Sequence, residues 1–124
     1  MNATPTGMLA LQTIAMPADT NANGDIFGGW LMAQMDLGGS VLARTRAKGG
    51  VATIFVEGMK FHAPVRVGDV VTIHADMIAE GTTSMTVEVE AWVTRQPDGN
   101  RHKVTEAKFV YVAVGKDGKK RPLP

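Results

Sequence analysis

In Gly28-Gly29-Trp30-Leu31-Met32-Ala33-Gln34-Met35-Asp36-Leu37-Gly38-Gly39-Ser40-Val41-Leu42-Ala43-Arg44-Thr45-Arg46-Ala47, apolar side chains recur at spacings near three and four. Phe27, Trp30, Leu31, Met35, Val41 and Leu42 make one apolar stripe, which predicts an amphipathic helix over roughly residues 28–47. The neighbouring face is mostly small (Gly29, Met32, Ala33, Gly39, Ser40, Ala43), with Asp36 in its middle. Arg44 and Arg46 suit the negative end of the helix dipole, and Gly49-Gly50 is the expected stop. Outward from this helix the pattern changes period. Residues 84–94 alternate strictly, with Met85, Val87, Val89, Ala91 and Val93 on one face and Thr86, Glu88, Glu90 and Thr94 on the other. Val51–Phe61, Val70–Ala79 and His102–Val114 read as strands, separated by turns at Gly68-Asp69 and at Pro97-Asp98-Gly99-Asn100. A further short strand, Met8–Ala15, precedes the helix, and residues 1–7 read as a frayed end. Strand, long helix, then four strands with short connections gives an α+β chain. One antiparallel sheet of about five strands wrapped around one central helix satisfies that order with a single core.

The 124 residues suffice for one domain, 1–124. Thirteen Lys and Arg against twelve Asp and Glu leave a net charge of +1. That balance offers no electrostatic case for nucleic-acid binding. The absence of cysteine removes disulfides, thiolate zinc sites and Cys nucleophiles, and is compatible with a cytoplasmic setting. No apolar run reaches the length of a membrane span. A domain this small has little depth for a large ligand, which would sit more easily between subunits.

Three features carry candidate chemistry. Asp36 lies mid-helix with Met32, Ala33, Gly39 and Ser40 at i±3 and i±4, so no intrahelical ion pair accounts for it. Read blandly, it is a solvated helix acid. Gly38-Gly39 weakens the helix by about 1–2 kcal/mol, which implies that another backbone or a ligand comes close there. The loop from Met16 to Gly29 is dense in turn formers and ends in Asn23-Gly24-Asp25-Ile26-Phe27-Gly28-Gly29 at the helix start. The first helical amides have no intrahelical acceptor and carry the positive end of the dipole, so Gly28 and Gly29 are candidate donors to a carbonyl or anion. The plain alternative is capping, with Asp25 as N-cap. The third feature is the basic tail, Lys116, Lys119, Lys120 and Arg121, a solvated end or a contact for phosphates. His62, His74 and His102 have no metal-ligand spacing. Glu57, Glu88, Glu90 and Glu106 read as solvated strand residues.

The run from Ala15 to Gly39, with Asp19-Thr20-Asn21-Ala22-Asn23-Gly24 ahead of Ile26-Phe27-Gly28-Gly29 and Asp36, resembles the YciA-like acyl-CoA thioesterases of the hotdog fold. Val56-Glu57-Gly58-Met59, Val67-Gly68-Asp69-Val70-Val71, Gly81-Thr82-Thr83-Ser84 and Tyr111-Val112-Ala113-Val114 extend the likeness from about Leu9 to Pro124. The resemblance implies hydrolysis of acyl-CoA to a free acid and coenzyme A, with no metal or redox cofactor. It implies Asp36 as the catalytic carboxylate, as general base or nucleophile, and Gly28 and Gly29 as donors to the thioester carbonyl. Asn23 is the nearest match for a loop asparagine that acts across a dimer interface, with Asn21 beside it. It also implies a homo-oligomer built from dimers, a hexamer among the arrangements allowed. For the coenzyme A phosphates, Lys119, Lys120 and Arg121 are preferred over Arg44, Arg46 and Lys48. Rival readings are another hotdog enzyme such as a hydratase, a coenzyme A- or nucleotide-binding module without turnover, and a purely structural oligomer.

Overall fold

The computed structural model describes residues 4–124. Its elements are β1 (Met8–Ile14), α1 (Gly28–Ala47), β2 (Val51–Phe61), β3 (Val70–Glu80), β4 (Ser84–Arg95) and β5 (Asn100–Ala113). The strands form one antiparallel sheet in the order β1-β3-β4-β5-β2, and α1 packs against all five. This is the hotdog architecture expected from the sequence. The frayed end expected for residues 1–7 falls partly on residues 1–3, outside the described residues. Within residues 4–7 the chain is anchored at Thr6, whose amide and hydroxyl both donate to the Glu90 carboxylate, at 3.1 and 2.8 Å.

The buried face of α1 differs from the expected stripe. Leu31, Met35, Gly38, Gly39, Ala43 and Ala47 face the sheet, while Phe27 and Val41 are 42% and 43% exposed. Leu31 and Met35 are nearly sealed from solvent, which contributes about 2–3 kcal/mol each. The small residues belong to the core face because β3 and β5 send large side chains up to the helix. A Cβ at Gly38 would stand 2.5 Å from Ile73 Cγ2. The close neighbours of Gly38-Gly39 are therefore neither another backbone nor a ligand but side chains of this protein's own sheet, Ile73, Val89 and Tyr111. The helix spans the expected residues and ends at Ala47, with Lys48 in the left-handed conformation (φ 55°) as C-cap ahead of the glycine pair.

Glu90 is the second departure. It is not a solvated strand residue: it is 7% exposed and also accepts from Trp92 Nε1 at 2.9 Å. The central strand β4 is buried on both faces here because the N-terminal segment lies over it, and Arg101 stacks on Trp92 at 5.6 Å. Burial pushes the Glu90 carboxyl up, but the Trp92 and Thr6 hydrogen bonds outweigh it and hold the group below its ordinary value of 4.5. Asp69, 2% exposed, behaves alike in the turn before β3. Burial raises it; Arg95, donating from Nε and Nη2 at 2.9 and 2.8 Å, and the Arg66 amide at 2.8 Å bring it below 3.8.

Asp69→Ala strands a partly buried guanidinium and is expected to cost about 3 kcal/mol in chemical denaturation at neutral pH. Because both folded-state values are depressed, the stability these carboxylates add is complete above the unfolded values and is lost as pH falls below them. Wild-type stability should thus decline with acidification below about pH 5. Asp69→Ala should flatten that decline; an unchanged acid slope would show that Asp69 contributes none of it.

Candidate functional site

The loop before α1 is built around one side chain. Asn21 Oδ1 accepts from the amides of Asn23 (2.8 Å) and Asp25 (3.2 Å), and the Asn21 amide donates to the Asp25 carbonyl at 2.7 Å. Ile26, buried, fixes the loop to the body through its amide on the Val65 carbonyl at 3.1 Å. The N-cap is Phe27, in extended conformation with no side-chain cap; Asp25, the capping candidate, sits two residues too early. The Phe27 amide goes to Asp19 O and the Trp30 amide to Phe27 O. Between them, the Gly28 and Gly29 amides meet no acceptor among the described residues. Both glycines are exposed. They are free donors at the positive end of a twenty-residue helix. Beside them opens a pocket of about 370 Å³ lined by Ile26, Phe27, Gly28, Leu31, Phe61, His62, Pro64 and Val65. His62, distant in sequence, thus shares a pocket with the helix start, and its Nε2 contacts Glu106 at 3.2 Å.

Asp36 is half-buried and held at two points. Thr53 Oγ1 donates to its Oδ1 at 2.7 Å, and Tyr111 Oη donates to its main-chain carbonyl at 2.8 Å. Thr53 and Tyr111 face each other across β2 and β5, so one rung of the sheet grips this residue. Burial, then the adjoining Asp36, push the Tyr111 hydroxyl far above the ordinary tyrosine range, so it remains a proton donor. Thr53 was not a sequence candidate. A lone threonine on a strand carries no signal until strand register sets it against the helix.

The arrangement fixes what one chain can do. Asp36 lies seven and eight residues beyond Gly29 and Gly28, which is about 10.5–12 Å along the axis. Reacting atoms must approach to about 3–3.5 Å. A carbonyl held by the helix-start amides is out of reach of the same chain's Asp36. Meanwhile β2, beside Asp36, is a sheet edge. Ile54 and Phe55 on it and Met32, Leu37 and Val41 on α1 are 40–56% exposed, an uncovered apolar surface next to a carboxylate.

The basic tail lies at the opposite end of the helix. It is pinned, not free: the Arg121 amide donates to Ala113 O and the Leu123 amide to Thr82 O. The Arg121 guanidinium donates to the Ala47 and Val114 carbonyls at 2.9 and 3.0 Å, closing the helix C-terminus. Lys119 and Lys120 are exposed. Arg46 is engaged with Glu80 at 2.9 Å and Pro124 O at 3.0 Å. No helix among the described residues is long and apolar enough to cross a membrane.

Residues 23–99 match the thioesterase superfamily profile. The chain is 59% identical over 127 residues to the acyl-CoA thioester hydrolase YciA of Salmonella typhimurium, covering 100% of this chain and 96% of that one. The hexameric thioesterase y2039 of Yersinia pestis superposes with a TM-score of 0.93 at 55% identity, covering 98% of each chain. An acyl-CoA hydrolase of Staphylococcus aureus, crystallised with butyryl coenzyme A and coenzyme A, superposes with a TM-score of 0.83 at 27% identity, over 92% of this chain and 70% of that one. Two alanine variants of that hydrolase have also been solved, at an asparagine and at an aspartate fifteen residues further along.

Proposed function

Because the chain belongs to the thioesterase superfamily, we infer that it is an acyl-CoA thioester hydrolase of the YciA kind, releasing a free carboxylic acid and coenzyme A. It works as a homo-oligomer built from dimers, a hexamer in its full assembly, with each chain one hotdog domain over 1–124 and a cytoplasmic setting. Coenzyme A is substrate and product here, not a cofactor. The site is composite, and the observation that carries this is the separation along α1. Asp36 from one protomer works with the helix start of its partner, brought together when a second copy covers the apolar β2 edge.

In that site the Gly28 and Gly29 amides donate to the thioester carbonyl oxygen. Their hydrogen bonds strengthen as the oxygen becomes negative, which favours the transition state over bound substrate. Thr53 occupies Asp36 Oδ1 and fixes the carboxylate plane, leaving Oδ2 for chemistry. That oxygen either takes a proton from an attacking water or attacks the carbonyl carbon to give a mixed anhydride that water then cleaves. In both routes the carbon–sulfur bond breaks and coenzyme A leaves as thiolate. Of the two loop asparagines, Asn21 is favoured over Asn23 as the polar contributor. Its Oδ1 is committed to two loop amides, so its Nδ2 is a donor held in one place, whereas no hydrogen bond among the described residues fixes the Asn23 side chain; both residues are exposed. Asn21 also stands fifteen residues before Asp36, the separation of the two positions altered in the S. aureus hydrolase.

The test of the activity is free-thiol release from acetyl-, butyryl- and long-chain acyl-CoA; no release from any of them contradicts it. Lys119 and Lys120 are proposed to meet the phosphates of coenzyme A bound at a neighbouring protomer's site. Arg121 of the same cluster is occupied with the helix carbonyls. Lys119→Ala with Lys120→Ala is expected to raise KM for acyl-CoA several-fold at low salt with kcat nearly unchanged, since phosphate contacts are equal in ground and transition states. The effect should vanish for acyl-pantetheine. An unchanged KM would make the tail a solvated end.

A further inference from the structure

We propose that Tyr111 and Gly39 form a lock that sets the position of Asp36, and that Tyr111 is therefore a positioning residue for the hydrolysis. The inference rests on Asp36 as the catalytic carboxylate and concerns what holds it in place. The Tyr111 ring is fully buried in the core, with Phe109 nearly parallel to it at a centroid separation of 6.3 Å. Its hydroxyl emerges from the sheet at one point, where it donates to the Asp36 carbonyl. A mid-helix carbonyl already accepts from the amide four residues on, but its oxygen has a second lone pair. Reaching that lone pair requires a gap in the helix surface, and Gly39 is the gap. A Cβ there would collide with Tyr111 Oη and stand 3.1 Å from Val89 Cγ2 and 3.2 Å from Tyr111 Cζ. Glycine mid-helix costs about 1 kcal/mol relative to alanine, and the hydroxyl's entry is what that cost permits.

The consequence is geometric. Thr53 fixes the side chain of Asp36 and Tyr111 fixes its peptide, from partner positions on β2 and β5. Helix height and rotation over the sheet at this residue are thereby tied to β2, the strand at the open edge. The carboxylate keeps a fixed relation to whatever covers that edge, including the partner's helix start. A side chain alone, on a helix free to slide by a fraction of an ångström against a glycine-rich face, would lack this, and misplacement of about 1 Å can cost a hundredfold in rate.

Tyr111→Phe removes only the hydroxyl and keeps the ring. It is expected to lower kcat about tenfold or more with KM for acyl-CoA within twofold, because substrate binding does not involve the lock. Gly39→Ala keeps the tyrosine but sets a methyl group against its hydroxyl, so it should displace the same hydrogen bond and lower kcat in the same way. Both variants are assayed well below their melting midpoints, so that the split between kcat and KM reports positioning and not loss of fold. A kcat within twofold of wild type in Tyr111→Phe overturns the inference. Asp36→Asn assayed in parallel separates the two readings. If it is inactive while Tyr111→Phe is fully active, the lock fails and Asp36 stands; if Asp36→Asn is itself active, the underlying assignment fails.

Discussion

Asp36→Asn is expected to reduce acyl-CoA turnover by at least about a hundredfold while the fold and the oligomer survive. Asparagine has nearly the shape of aspartate, and its side-chain oxygen can still accept the Thr53 hydroxyl that now meets Oδ1 at 2.7 Å. Packing and the local hydrogen bond are therefore preserved. What disappears is the second carboxylate oxygen, with its charge and basicity. An amide neither takes a proton from water nor forms an anhydride, and loss of a general base or nucleophile typically costs about 10²–10⁴ in rate. Thiol-release kinetics, with light scattering to check assembly, measure both halves of the expectation. Near wild-type hydrolysis by Asp36→Asn would remove Asp36 from the chemistry and return it to the role of a solvated helix acid.

Asn21→Asp should have a comparable effect from the other end of the site. Aspartate still offers an oxygen to the Asn23 and Asp25 amides, so the loop that Asn21 organises keeps its shape. The Nδ2 donor is lost, and a negative charge is set where negative charge develops on the thioester oxygen. Removing one such donor costs about 10²–10³ in kcat in serine-protease oxyanion holes, and the added charge works in the same direction. Asn23→Asp, two residues along, where no hydrogen bond among the described residues fixes the side chain, should cost much less. A larger loss in Asn23→Asp than in Asn21→Asp would reverse the assignment between the two asparagines.

Much of this protein is legible in its sequence, and what is not legible shares one physical reason. Helix and strand boundaries are set by local signals. Gly28–Ala47 carries its own periodicity, and the four long strands are framed by turns at Gly68, Gly81 and Pro97–Asn100. Asp36 stands out locally too, as an acid with no intrahelical partner. Apart from the Asp25 cap and the choice between Asn21 and Asn23, which turn on local loop geometry, the misreadings involve contacts from far along the chain. Alternation alone puts Glu90 outward, and it does point outward, but onto Thr6, eighty-four residues away, which buries it. Hydrophobicity alone assigns Val41 to the core and the glycines to a second face. Ile73 and Tyr111, arriving from the sheet, need the space that Gly38 and Gly39 leave, so the small face is the core face. Thr53 becomes a partner of Asp36 only through the pairing of β2 with β5, and His62 comes to line the helix-start pocket only because β2 returns there. The tail's charges suggest a free basic arm, but Arg121 closes the helix end, a role visible only once the last residues fold back.

The composite site, Asp36 of one protomer with the helix start of its partner, is tested most directly by mixing two inactive variants. Asp36→Asn and Asn21→Asp chains are unfolded together and reassembled at equal concentration. In a hybrid dimer, one site combines both defects and the other combines an intact Asp36 with an intact partner loop. Random pairing makes about half of the dimers hybrid, each with one working site of two, so about a quarter of wild-type activity should return. Activity that stays at the level of the two separate variants, with hybrid assemblies shown by mass spectrometry, would place the carboxylate and the loop in one chain and contradict the account.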